Sequence, residues 1–513
     1  MKIGWMWVAA VLVAAIQISC SSSGGNQEID VVDVESRETT GEIRQSDTPV
    51  PENTPTTPPS VQRLSARGKD IVNENGEVVV LKGVNLGSWL FHETWIPQTA
   101  HSLSSQIHVL GRLQGLQEHV DPILVELGST WGGEWYLDQV RLKLAERVGD
   151  EPASVFADLV RQYMPTLYDD ADLALRRKLV ERFGEEGRDD LMNTFQDAWI
   201  TEKDLEWLAE QGFNLVRIPT GFRTLVLGPD LEFPEELRWN ERALLHLDLL
   251  LDWCETHGLY AVIDIQEAPG RQNNYSGESI LYTDPKMQAL TIELWTMLSS
   301  RYRDRNVVAA YSLLAEPYSA PTPAARDELY DRIIKAIRNQ DDDHLVVVHD
   351  GFKGMESLVD PGHYQWTNVI YSTHIFNFDA DSYAVWESLV NVFYRPVFQH
   401  AQAEQNVPYF IGSFATRRHA DWAYDAARLL VSFFNEEGYS WAIWTFKMID
   451  DPVEKELWDR ESSYGVLGRL HGEFQRPDPF DDNFETLMEK FEAYRHLDLR
   501  PNERLLSILK EGL

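Results

Sequence analysis

The stretch GLYAVIDIQEAPGRQNN (residues 258–274) decides the reading of the fold. Residues 260–265 form a short, β-branched apolar run of strand length. A helical pattern, Glu241–His257, leads into it, and a second, Met287–Tyr302, follows the Ala268-Pro269-Gly270 turn. Helix, buried strand and helix in succession are the signature of a parallel sheet built from crossover units.

Working outward, the same alternation recurs from Val78 onward. Strands are predicted near 78–86, 213–218, 260–265, 308–314, 344–349, 368–374, 408–412 and 440–446, with further helices at Ala324–Arg338 and Asp421–Glu437. Within the helix before the opening stretch, Leu245, Leu249 and Trp253 have the spacing of a buried stripe. Strands joined by helical crossovers predict an α/β fold, a (β/α)8 TIM barrel rather than an open doubly wound sheet. No glycine-rich phosphate loop follows any strand, which argues against a nucleotide site. A long helical insertion at about 95–205 separates the first two strands. It includes Glu134–Arg147 and Asp172–Phe183 and is expected to form a lobe over one rim.

Charge and cysteine content narrow the function classes. Asp and Glu number 82 against 46 Lys and Arg, a net charge of −36, so the surface repels phosphate backbones and nucleic acid is excluded as a partner. Cys20 and Cys254 are the two cysteines, which leaves no disulfide framework or Cys-based metal site. Cys254 reads as an inert core thiol. The acidic runs Asp169-Asp170-Ala171-Asp172 and Asp341-Asp342-Asp343 lack the calcium-loop pattern and read as solvated surface, so no metal or cofactor is expected.

The N-terminus carries Lys2, an apolar stretch from Trp5 to Ile18, and then Ser19-Cys20-Ser21. That stretch is short for a membrane span and has the shape of an export signal. The segment resembles a bacterial lipobox, which implies cleavage before Cys20 and a lipid anchor there. Gln17 departs from the usual Leu, and ordinary signal cleavage is the alternative. The expected organisation is a signal peptide over 1–20, a disordered Ser/Thr/Pro/acidic tether over 21–62, and the barrel with its insertion over 63–513.

In a barrel of this kind functional side chains come from the carboxyl ends of the strands. Those ends carry Asn85, Arg217, Gln266-Glu267, Glu316, Asp350, His374, Ser413 and Trp444. The set suits a sugar: an aromatic face stacks on apolar CH groups while amides, Arg, His and carboxylates bond the hydroxyls. Taken singly, Arg217 could be a barrel-interior salt bridge and His374 a satisfied core histidine.

The segments LKGVNLGSWL (81–90), GFNLVRIPTGF (212–222), GLYAVIDIQEAPGRQNN (258–274), YSLLAEPYS (311–319), YSTHIFN (371–377), YFIGSFAT (409–416) and SWAIWTFK (440–447) resemble glycoside hydrolase family 5, in its cellulase-like and exo-β-1,3-glucanase-like branches. The resemblance implies cleavage of β-glycosidic bonds with retention by two glutamates, whose carboxyls must lie roughly 5–5.5 Å apart. It assigns Glu316 as the acid/base and Arg217, His374 and Trp444 as sugar-binding positions, with Asn85 and Asn274 beside them. Four positions depart from the family pattern. Ala315 replaces the Asn before the acid/base, Gln266 replaces the first His, Phe376 replaces a Tyr, and Ser413 occupies the nucleophile position. A neutral serine cannot stabilise an oxocarbenium-like transition state as a carboxylate does. Three functions therefore stay open: a glycan-binding protein impaired as a retaining hydrolase, an active β-glucan hydrolase with a carboxylate relocated to Glu267 or Asp350, and a protein-interaction scaffold.

Overall fold

The computed structural model describes residues 61–513, apart from 100, 129–132, 164–170, 229–230, 276, 341–343, 378–379, 381, 417–420 and 459–464. The export signal, Cys20, most of the tether and the acidic positions 169–170 and 341–343 lie outside the described residues. Among the described residues no helix is long and apolar enough to cross a membrane.

Eight strands close into a barrel: β1 (Lys82–Asn85), β2 (Leu215–Gly221), β3 (Tyr260–Glu267), β4 (Val308–Ser312), β5 (Leu345–His349), β6 (Val369–Phe376), β7 (Tyr409–Ala415) and β8 (Ser440–Ile443). Every neighbouring pair is parallel, and β8 closes on β1 through Trp441, Ala442 and Ile443 against Lys82, Gly83 and Val84. The predicted (β/α)8 barrel is therefore the observed one. Gly83 is required where β1 meets β2, because a Cβ there would fall 1.9 Å from the Leu215 carbonyl oxygen.

Alternation along each strand sorts side chains into two populations. Leu215, Val262, Ala310, Val347, Ile370, Phe410 and Ala442 fill the barrel interior, while Val216, Ile218, Ile263 and Ile265 belong to the larger core shared with the helices. Continuing the inward series two residues at a time carries Arg217, Asp264 and Gln266 into the top of the interior. That periodicity places the polar groups at the carboxyl rim.

The helix Glu241–His257 corrects one expectation. Leu245 and Leu249 are 59% and 45% exposed, whereas Leu244, Leu247, Leu250, Leu251 and Cys254 are buried. The helix has leucine on nearly every face, so spacing alone cannot select which face meets the barrel. Cys254 is fully buried, as read, and burial raises its thiol pKa.

The segment between β1 and β2 divides by its packing. Helices Leu103–Leu113, Gln117–Leu127, Glu134–Val148 and Asp150–Tyr163 share a separate apolar core that includes Leu110, Ile123, Val140 and Phe156. Helix Ala171–Trp199, bent at Gly184, instead puts Leu191, Phe195 and Trp199 into the main core. Asp172, expected on the surface, is 6% exposed and ion-paired to Arg176 at 2.9 Å. The arginine one turn later allows that carboxylate to be buried.

Candidate active site

Glu316 stands just past β4 with a left-handed backbone, φ 49°. Such a conformation costs a non-glycine residue about 1–3 kcal/mol unless its surroundings hold it. Here the Glu316 carbonyl accepts from Tyr318 N at 2.8 Å and from Asn273 Nδ2 at 3.3 Å. The APGRQNN loop (268–274) after β3 has a structural role at the same point. Gln272 is buried, donates to the carbonyls of Gln266 (2.7 Å) and Ala315 (2.9 Å), and accepts from Ala268 N. One side chain thus ties the ends of β3 and β4 together.

The Glu316 carboxylate meets His374 of β6, with Nδ1 2.6 Å from Oε1. Tyr275 reaches the same carboxylate from the β3 loop, and burial raises the Glu316 pKa against the opposing pull of His349, Tyr275 and Arg217. Burial and the Arg217 charge hold His374 well below its ordinary pKa, so it is neutral. Its ring stands edge-on to His349 at 4.4 Å. His349 accepts from Gly351 N through Nδ1, so its proton sits on Nε2, which is buried without a hydrogen-bond partner among the described residues.

Arg217 is buried at the floor. It donates to Asn85 Oδ1 at 2.6 Å and Gln266 Oε1 at 3.2 Å, and pairs with Asp264 at 2.8 Å. Asn85 passes the network on, donating through Nδ2 to the carbonyls of Gly412, Ala442 and Ile443. Both therefore brace the barrel top from below. Gln266 is half-buried above them, and the Trp444 ring, 8% exposed, lies at the end of β8. Asn274 lies farther out and accepts from the Tyr318 hydroxyl. The Tyr275 and Tyr318 rings are 4.9 Å apart.

Ser413 sits on β7 in register with His374, 2% exposed, and its Oγ has no hydrogen-bond partner among the described residues. Both carboxylates named in its place have partners elsewhere. Glu267 turns away from the inward series 262, 264, 266 and pairs with Arg223 at 2.8 Å and Arg271 at 3.8 Å. Asp350 holds its own turn, accepting from Phe352 N at 3.0 Å and Thr373 Oγ1 at 3.2 Å, with burial raising its pKa to about 6.

A different carboxylate, passed over in the sequence, lies within electrostatic reach of Glu316. Glu93 lies in the loop after β1, fixed by Ser88, whose Oγ accepts from Glu93 N at 3.0 Å and donates to Glu93 O at 3.1 Å. Its pKa is raised to about 8 by burial and by the Glu316 charge, with Trp95 and Arg217 opposing. Its Oε2 is buried and accepts no hydrogen bond. The sequence signal was its place in a carboxyl-end loop, three residues beyond the quoted LKGVNLGSWL stretch. Among the described residues no group of three or more His, Cys, Asp or Glu is arranged to hold a metal.

A closed parallel barrel with its titratable groups gathered at the carboxyl rim is a TIM-barrel protein of the enzyme-bearing kind. More specifically, the chain belongs to glycosyl hydrolase family 5: the family model described as Cellulase (glycosyl hydrolase family 5) matches residues 182–448, just over half of its length. It is 26% identical over 372 residues to a beta-xylosidase of Phanerodontia chrysosporium, covering 64% of this chain and 69% of that one. Endoglucanase C of Acetivibrio thermocellus is 29% identical over 212 residues, covering 40% and 60%. Glucan 1,3-beta-glucosidase 2 of Saccharomyces cerevisiae is 29% identical over 240 residues, covering 41% of each chain. Among solved structures, endoglucanase Cel5A of Thermotoga maritima is 21% identical with a TM-score of 0.44, covering 60% of this chain and 90% of that one.

Proposed function

We propose that this protein binds a β-linked glycan at the carboxyl rim of the barrel and does not perform retaining hydrolysis. One observation carries the reading. Around Glu316, the polar atoms Glu93 Oε2, His349 Nε2 and Ser413 Oγ are buried without partners among the described residues. Each such atom costs about 1–3 kcal/mol if nothing ever bonds to it. A cleft converted to a scaffold surface gains by losing these groups, whereas a cleft that receives hydroxyls uses them. Glu316, His374, Gln266 and Glu93 supply polar groups for sugar hydroxyls, Trp444 at the end of β8 is the aromatic proposed to stack on the sugar, and Arg217 and Asn85 brace the barrel top.

Retention needs a carboxylate opposite Glu316 at the β7 end, and Ser413 stands there instead. The relatives act on different sugars by name, so the linkage is left to measurement. Calorimetric titration of the purified chain with β-1,3-, β-1,4- and mixed-linkage glucans, with reducing-sugar assays alongside, tests the reading. Binding without sugar release is expected; failure to bind any of them removes it in favour of the scaffold.

A second reading is favoured by Glu93 specifically. A carboxyl held to about 8 within reach of the Glu316 charge is a candidate for a relocated catalytic carboxylate. Turnover lost in both Glu93→Gln and Glu316→Gln supports it over the first.

We further propose export and lipid anchoring at Cys20, on the strength of the Trp5–Ile18 and Ser19-Cys20 pattern. Palmitate labelling of the expressed chain, lost in Cys20→Ser, is the expected result.

A further inference from the structure

On the outer wall of the barrel, between helix Glu241–His257 and helix Pro285–Tyr302, lies a groove of about 480 Å³. Ordinary small-ligand sites enclose roughly 300–1,000 Å³. None of the residues lining it belongs to the carboxyl-end set around Glu316. One side of the groove is a single helical stripe. Glu293, Thr296, Met297, Ser300 and Arg301 follow the i, i+3, i+4, i+7, i+8 spacing that brings side chains to one face. Leu294, Trp295 and Leu298 of the same helix are buried, so the stripe is the part of the helix left to solvent.

Trp239 supplies the aromatic surface of the groove. It stands just before the helix cap Asn240, in an antiparallel bridge with Val226. On either side, Leu227 N donates to Arg238 O at 2.7 Å and Asn240 N to Leu225 O at 2.8 Å. The indole is partly buried against the main core, so its position is set before any ligand arrives. A ring held that way offers a flat apolar face at little entropic cost.

The rest of the lining is polar and leans acidic. Arg301 is fixed by Asp248, through Nε to Oδ1 at 3.0 Å and Nη2 to Oδ2 at 2.5 Å, and its Nη1 lies 3.6 Å from Glu241 Oε2. Glu241 and Glu293 therefore line the groove against one already paired arginine, which disfavours an anionic ligand. Ser300 and Gln340 add neutral donors and acceptors. An aromatic face, an apolar thioether and hydrogen-bonding groups of both kinds match a neutral polyhydroxylated chain.

We propose that this groove is a second glycan-binding site, in which Trp239 stacks on the apolar face of a sugar and Glu293, Ser300 and Arg301 bond its hydroxyls. It binds and does not cleave. A polymer that engages the rim and the groove together is held more tightly than a short oligomer, because the second contact forms at the effective concentration set by the first. The choice of ligand rests on the reading that this protein engages β-glycans, although the two sites share no residue.

The test applies native electrophoresis through gels containing mixed-linkage β-glucan, with calorimetry on cellotetraose and laminaritetraose, to the full chain. Trp239→Ala should weaken retardation by the polymer at least about tenfold and leave tetrasaccharide binding at the rim intact. Trp239 also packs on the core, so Ser300→Arg, on the exposed helix surface, provides an independent blockade and should give the same loss. Trp444→Ala should keep part of the retardation, and the double variant Trp239→Ala with Trp444→Ala should lose it. Circular dichroism verifies that each variant is folded. Retardation unchanged in both Trp239→Ala and Ser300→Arg overturns the groove and leaves the rim reading standing. Loss of all retardation in Trp444→Ala alone overturns it too. Retardation that depends on Trp239 but not on Trp444 supports the groove and removes the rim reading. Absence of all glycan binding removes both.

Discussion

His374 Nδ1 and Glu316 Oε1 meet at 2.6 Å, from strand β6 and from just past β4, with both side chains largely withdrawn from solvent. The imidazole is neutral, so the contact orients the carboxylate without cancelling its charge. Glu316 accordingly keeps a raised pKa in spite of a close basic partner. Substituting His374→Ala is expected to leave the barrel folded and to weaken glycan affinity at least about tenfold, as one charge-assisted hydrogen bond contributes roughly 1.5–3 kcal/mol. Calorimetry on the folded variant measures this.

Glu93 provides a pH-dependent signature of the cleft. Its folded pKa is about 8, raised from 4.5, so the native state holds a proton that the unfolded chain has released. Stability from this group is present below about pH 4.5 and is lost as pH rises through about 8. Glu93→Gln should flatten that decline and raise stability at pH 8 by about 1–3 kcal/mol, discounted from the full shift for solvent access to the loop. Denaturant midpoints of both proteins between pH 5 and 8 decide it; parallel curves would sink the assignment.

Tyr275 lowers the Glu316 pKa by donating to its carboxylate. In Tyr275→Phe that stabilisation of the charged form disappears, and the Glu316 pKa should rise further. Any pH profile of binding that reports Glu316 then moves to higher pH, with little change in stability because Tyr275 is 56% exposed. An unmoved profile together with unchanged affinity would place Tyr275 outside the site.

Arg217 and Asp264 form an ion pair at 2.8 Å, 1% and 0% exposed. Arg217→Met leaves Asp264 buried without its counter-charge and should destabilise by about 3–5 kcal/mol. The double variant Arg217→Met with Asp264→Asn should recover part of that loss. Urea midpoints of the single and double variants give the coupling.

Gly83→Ala is expected to prevent soluble folding. The new methyl would sit 1.9 Å from a carbonyl oxygen of β2, and neither strand can retreat without opening the closed barrel. Solubility on expression and the far-UV spectrum report the outcome.

The barrel was legible because its evidence is local. Runs such as 260–265 and 345–349 are apolar at nearly every position, and the carboxyl-end residues follow each run directly, so Glu316, His374 and Ser413 could be named together. The register of helix Glu241–His257 was not legible, since Leu245 and Leu249 satisfy the helical period as well as Leu247 and Leu250 do. Glu93 was missed for a related reason. Its role depends on how the loop after β1 folds back, braced by Ser88, and neither residue belongs to a periodic pattern.

By itself, then, the sequence determined the eight strands, the order of the rim residues and the replacement of a carboxylate by Ser413. Only the tertiary structure decided which acidic groups remain available at the cleft. Glu267 is neutralised by Arg223, 44 positions away, while Glu93, some 220 positions before Glu316 in the chain, is left within electrostatic reach of it. Strand formation follows from periodicity within a few residues. The ionisation and bonding of a buried side chain depend on solvent exclusion and on partners brought together from distant parts of the chain.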